Sequence, residues 1–93
     1  MEVNRIKQKD LYDKEKLIEL AHYKMPFGKY KDSYLVEIPE YYYTWFKQKG
    51  FPPGKLGLLM QEMYEIKING LEGLIYKIKN EFKAPAPKRR LGK

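Results

Sequence analysis

The sequence predicts an α+β domain dominated by helices: an N-terminal helix, one β-hairpin, then three helices packed on one hairpin face. Three observations carry this expectation. Leu56, Leu59, Met60 and Met63, and again Leu71, Leu74, Ile75 and Ile78, recur at i, i+3, i+4, i+7, the period of an amphipathic helix. Pro39 and Gly50 bracket an aromatic run with a helix start and a helix stop. Lys31-Asp32-Ser33 is turn chemistry, and Tyr34-Leu35-Val36 has strand propensity. The rest of the chain is expected to pack around residues 25–46, which hold 8 of its 14 Phe, Trp and Tyr residues.

Residues 1–12 are polar and mixed in charge, and are expected to be a flexible N-terminus. Asp13 reads as an N-cap, with Tyr12 and Leu17 at hydrophobic-staple spacing. Leu17, Leu20 and Ala21 give a narrow apolar stripe, so the first helix is placed at 14–23 and Pro26 ends it. The hairpin is placed at 26–30 with 34–37, and Gly28 marks a bulge or a close backbone approach. Pro39 fits the first helical position and Glu40 the positive end of the dipole, giving a helix to Lys49. Within it Tyr42, Trp45 and Phe46 share a face. Phe51-Pro52-Pro53-Gly54 is a rigid connector, Asn69-Gly70 closes the next helix, and the last occupies 71–81. Trp45, Phe46, Leu59, Met63, Leu74 and Ile75 are expected to supply most of the burial, with Trp45→Ala the most damaging single change. The compact domain is thus 13–82, followed by a Pro-rich basic tail at 83–93.

The sequence has 93 residues, which suffice for one small domain with a modest core rather than a two-lobed catalytic cleft. Cysteine is absent, which excludes disulfides, thiolate nucleophiles and cysteine metal sites. The N-terminus lacks the apolar core of a secretory signal and no apolar run could span a bilayer, so a cytoplasmic location without membrane contact is expected. The formal charge is +7, and residues 83–93 contribute +5 of it without an acid. The basicity therefore belongs mostly to the tail, whereas a folded nucleic-acid binder gathers basic groups on one face.

Met25-Pro26-Phe27-Gly28-Lys29-Tyr30-Lys31, Leu35, Ile38-Pro39, Tyr42 and Trp45-Phe46 form a recurring pattern. So do Lys49-Gly50-Phe51-Pro52, Gly54-Lys55-Leu56-Gly57, Glu65-Ile66-Lys67 and Asn69-Gly70-Leu71-Glu72-Gly73-Leu74. Together they resemble a small bacterial family of unknown function with the pattern MPFGKYKG, a short gap, then LPxxYLxWF. Its label, quorum-sensing-regulated virulence factor, describes regulation and not chemistry. The resemblance covers about 25–75. Residues 25–46 are also distantly similar to the small accessory domain that follows the catalytic domain of some DnaQ-like 3′–5′ exonucleases. Asp32 stands where the family pattern has glycine, which places a negative charge beside Lys29 and Lys31.

Catalysis finds little in the composition. His22 is the only histidine, Ser33 the only serine and Thr44 the only threonine. A pairing of His22 with Ser33 lacks a nucleophile-elbow motif, and paired-carboxylate chemistry by Glu37 and Glu40 needs a cleft that a small domain does not offer. Gly54-Lys55-Leu56-Gly57 lacks the spacing of a phosphate-cradling loop, and metal-ligand spacing is missing. The expectation is a non-catalytic module without cofactor or metal. Its candidate nucleic-acid-binding residues are Lys29, Tyr30 and Lys31 on the hairpin, Lys24 near them at the end of the first helix, Tyr41 and Tyr43 on the following helix, and Lys88, Arg89 and Arg90 in the tail. Lysines that track phosphates beside aromatics that stack on bases are what single-strand binding requires. The other reading makes Lys29 and Lys31 a solvated strand face that discourages edge pairing, with Phe27 and Tyr30 in the core. Tyr41 and Tyr43 are contact residues or ordinary surface aromatics. The expected partner is single-stranded or duplex nucleic acid, or alternatively a nuclease or other protein captured by the Tyr-rich helix and hairpin face. The oligomeric state is not legible.

Overall fold

The computed structural model describes residues 13–85. Helix α1 (Lys14–His22) starts at the expected cap: the Asp13 side chain accepts a hydrogen bond from the Glu15 N–H at 3.2 Å. Its proposed staple partner Tyr12 lies outside the described residues, as do Lys88, Arg89 and Arg90.

The expected hairpin at 26–30 with 34–37 does not form, and the described part of the chain is helical rather than α+β. It contains no strand, and its one β-type pairing is an isolated antiparallel bridge between Lys24 and Tyr34. Tyr34-Leu35-Val36 fails as a strand because Leu35, Val36 and Ile38 are all buried, whereas a half-buried strand hides every second residue. The chain winds instead into a 3-10 turn (Leu35–Glu37), with the Glu37 N–H donating to Tyr34 O at 2.9 Å and the Ile38 N–H to Leu35 O at 3.2 Å. The turn expected at 31–33 is real, but it closes a loop without a ladder.

Helix α2 (Glu40–Lys49) follows, with Pro39 at the N-cap rather than at the first helical position. Gly50 ends it, its N–H donating to Phe46 O at 2.6 Å. Helix α3 (Gly54–Ile68) closes in a Schellman motif: the Leu71 N–H donates to Ile66 O at 2.9 Å and the Gly70 N–H to Lys67 O at 3.0 Å, with Gly70 at φ +70. Helix α4 (Glu72–Glu81) then packs against α1, while α2 packs against α3. No helix among the described residues is long and apolar enough to cross a membrane.

The core joins Leu20 and Ala21 of α1, Met25, the Leu35–Val36 turn, Ile38, Tyr43 of α2, Leu59, Met60 and Met63 of α3, and Ile75 of α4. Leu59, Met63 and Ile75 are buried as expected. Trp45 and Leu74 are not: Trp45 is 51% exposed and Leu74 38%. The aromatic at the centre is Tyr43, fully buried, its hydroxyl donating to Leu35 O at 2.7 Å. Lys67 is also buried, and its ammonium donates to Val36 O at 2.7 Å with the Glu72 carboxylate 3.9 Å away. Burial pushes the Lys67 pKa down, while Glu72 and Glu40 oppose that shift. The 3-10 turn is thus held by one side chain from α2 and one from α3, which fixes where the chain enters α2.

Candidate functional site

Residues 25–33 form a loop closed at its base. The Met25 N–H donates to Ser33 O at 2.9 Å, the Asp32 N–H to Met25 O at 2.7 Å and the Leu35 N–H to Tyr23 O at 3.0 Å. Two consecutive turns shape its tip, with the Lys31 N–H donating to Gly28 O at 3.1 Å and the Ser33 N–H to Tyr30 O at 3.0 Å. Asp32 sits at φ +69, the left-handed region that glycine enters freely and aspartate tolerates better than most residues. That backbone demand explains why the resembled pattern has glycine there. Gly28 has φ +80, and a Cβ on it would lie 3.2 Å from the Tyr42 hydroxyl, so it marks a close side-chain approach rather than a bulge.

The loop leans on α2 through aromatic rings. Tyr30 meets Tyr42 edge-on with centroids 4.8 Å apart, Tyr42 meets Phe46 at 5.1 Å, Trp45 meets Phe46 at 5.0 Å, and Phe46 stacks on Phe51 at 6.2 Å. The Tyr30 and Tyr41 hydroxyls share a hydrogen bond of 2.8 Å, and that bond is the main cause raising the Tyr30 pKa. Between loop and helix lies an open groove of about 550 Å³, lined by Phe27, Gly28, Lys29, Tyr41, Tyr42, Trp45 and Phe46. Phe27 is 44% exposed, Tyr41 63% and Trp45 51%, so three aromatic rings open to solvent around one concavity. Lys29 is the charged side chain in its wall, its ammonium 5.5 Å from the Tyr30 ring centre.

The expected site residues are therefore divided. Lys29 and Tyr41 come together at the groove, and Tyr30 stands outside its lining, bonded to Tyr41. Lys31 is exposed on the loop tip, without the strand that was to align it with Lys29. Lys24 is exposed at the loop base, 5.1 Å from the Tyr34 ring centre. Tyr43 is withdrawn into the core, where burial raises its hydroxyl pKa, and it presents no face to a ligand. Trp45, assigned to the core by sequence reasoning, and Phe27, placed there only by the solvated-strand reading, are the groove residues that it missed. A signal for Trp45 existed: Tyr41 and Trp45 are an i, i+4 pair on one helix face, away from Tyr43, because positions advance about 100° per residue. His22 is committed elsewhere, its Nε2 donating to the Phe82 carbonyl at 2.7 Å, and this places it in the α1–α4 packing.

Residues 13–78 match the family described as "Putative quorum-sensing-regulated virulence factor". Two relatives, each named "Uncharacterized protein YpeB", come from Escherichia coli strain K12 and Escherichia coli O157:H7. Each is 52% identical over 68 residues, which cover 72% of this chain and 94% of the relative. No solved structure gives a significant match.

Proposed function

The chain belongs to the family described as "Putative quorum-sensing-regulated virulence factor", and we propose that it is a non-catalytic accessory module that binds single-stranded nucleic acid in the aromatic groove. The observation that carries the reading is the exposure of Phe27, Tyr41 and Trp45 around one concavity with Lys29 in its wall. Splayed bases stack on such rings at about 1–3 kcal/mol per base, and lysines beside them track phosphates with little sequence preference. Lys31, Lys24 and the tail residues Lys88, Arg89 and Arg90 add attraction that falls steeply with salt.

Trp45 is the only tryptophan, so its fluorescence reports on the groove directly. A single-stranded oligothymidylate is expected to quench Trp45 emission, and duplex of the same length to quench it much less. Trp45→Ala is expected to weaken single-strand binding, measured by anisotropy, by about 1–3 kcal/mol, roughly five- to 150-fold. Its melting temperature should stay near that of the unmodified chain, because the ring is half exposed. Saturating anisotropy with unchanged Trp45 emission would move binding away from the groove.

The second reading, a protein-interaction adaptor, is favoured by the same wall being mostly aromatic, since Trp and Tyr dominate binding hot spots. Lys29→Glu with Lys31→Glu separates the two: it abolishes nucleic-acid binding under the first reading and leaves protein capture nearly intact under the second.

A further inference from the structure

Lys24 and Lys79 converge on one ring. The Lys24 ammonium lies 5.1 Å from the Tyr34 ring centre and the Lys79 ammonium 4.0 Å from it. The two distances bound the separation of the two charges at 9.1 Å. Lys16, Lys55, Lys67 and Lys77 each face a carboxylate, whereas neither Lys24 nor Lys79 has one in salt-bridge range among the described residues. The Tyr34 ring attracts each ammonium but cancels neither charge. Two like charges gathered in this way raise the local positive potential and favour an anion beside them. The pairing comes from the fold: the Lys24–Tyr34 bridge closes the base of the aromatic loop, and Lys79 reaches the same ring from α4. Three residues after Lys79, the Phe82 carbonyl is held by His22, and from there the chain leads toward Lys88, Arg89 and Arg90.

We infer that Lys24 and Lys79 form a phosphate clamp over Tyr34, a second contact that takes the sugar-phosphate backbone of the strand whose bases occupy the groove. The inference rests on the single-strand reading of the groove for its ligand, and on the two lysines alone for its anion chemistry. The clamp reads no base and contributes to affinity only through charge. Lys79 thereby becomes a binding residue whose sequence context, an α4 surface position, gives no hint of it.

The test compares the full chain with Lys24→Gln/Lys79→Gln, using oligothymidylate and base-free inorganic polyphosphate across a salt series. Two lost phosphate contacts on a single strand are expected to shrink the slope of log K against log salt by about 1.4. The Trp45 quenching at saturation should stay unchanged, and polyphosphate affinity should fall in parallel. An unchanged slope together with unchanged polyphosphate affinity overturns the clamp, whatever Trp45 does. Should the oligonucleotide leave Trp45 emission untouched while the double variant still loses polyphosphate affinity, the groove reading fails and the clamp stands.

Discussion

Replacing Tyr43 with alanine is expected to destabilise the domain by about 3–5 kcal/mol, the range for emptying a buried aromatic site. The ring is fully buried, stacks on Tyr64 with centroids 6.4 Å apart, and its hydroxyl donates to Leu35 O at 2.7 Å. Truncation opens a cavity and also removes one of the two hydrogen bonds to Leu35 O, leaving that carbonyl with the Ile38 N–H alone. A domain of this size has only a few kcal/mol in hand, so much of the Tyr43→Ala protein should be unfolded at 37 °C by circular dichroism. Tyr43→Phe isolates the hydroxyl and should cost about 0.5–1.5 kcal/mol in urea titration. The pH profile gives an independent check. Burial raises the Tyr43 pKa above its unfolded value near 10, so its contribution is complete below that pH and is lost as pH rises beyond it. Tyr43→Phe should lose less stability across that alkaline window. A Tyr43→Ala melt within a few degrees of the unmodified chain would place the centre of the core elsewhere.

Gly57→Ala is the second large effect, and two physical terms predict opposite signs for it. Alanine is better than glycine inside a helix by about 0.8–1 kcal/mol, and Gly57 lies within α3. Yet a Cβ there would sit 1.8 Å from Pro52 O and 3.0 Å from Pro52 C. The obstruction is backbone, with no flexible side chain to swing aside, so α3 must move off the Phe51–Pro53 connector. That movement would disturb the Phe51 ring stacked on Phe46 behind the groove. Sterics win, and the expected net loss is roughly 1–3 kcal/mol, with altered Trp45 emission because Trp45 packs on Phe46 at 5.0 Å. Gly73→Ala is the matched control: nothing lies within 4 Å of a Cβ there, so it should stabilise by about 0.4–1 kcal/mol. Equal stabilisation by both substitutions would refute the close approach at Gly57.

Helix ends were legible because they depend on local chemistry. Asp13 caps α1, Gly50 stops α2 and Asn69-Gly70 closes α3, each through hydrogen bonds within a few residues. The hairpin was misread because a turn signal says where the chain reverses, not whether its flanks pair. Tyr34-Leu35-Val36 has the side chains of a strand, but the core claims Leu35 and Val36 together, which the 3-10 turn allows and a strand covered on one face does not. On α2 the spacing of Tyr42, Trp45 and Phe46 correctly grouped them, yet periodicity cannot say which side of an aromatic helix turns inward. That choice was made by Leu35 O, a distant backbone acceptor that the Tyr43 hydroxyl satisfies and that neither Trp45 nor Tyr41 reaches. Part of the candidate site was therefore visible as Lys29 and Tyr41. Phe27 and Trp45 were hidden by the habit of assigning large aromatics to the interior, and Lys79 by a contact with Tyr34 across 45 residues of sequence.

The seating of Lys67 also makes it a built-in timer. The residue is 8% exposed and its ammonium is bonded to Val36 O, whereas Lys47 and Lys77 are open to solvent. An amine-acylating reagent added to the native protein should modify Lys47 and Lys77 promptly. Lys67 should react only when the α3 face separates from the 3-10 turn, so its acylation rate, read by peptide mass spectrometry, counts openings of the core. Acylation there would also trap the opened form, since a neutral, bulkier amide cannot return to the space beside Tyr43.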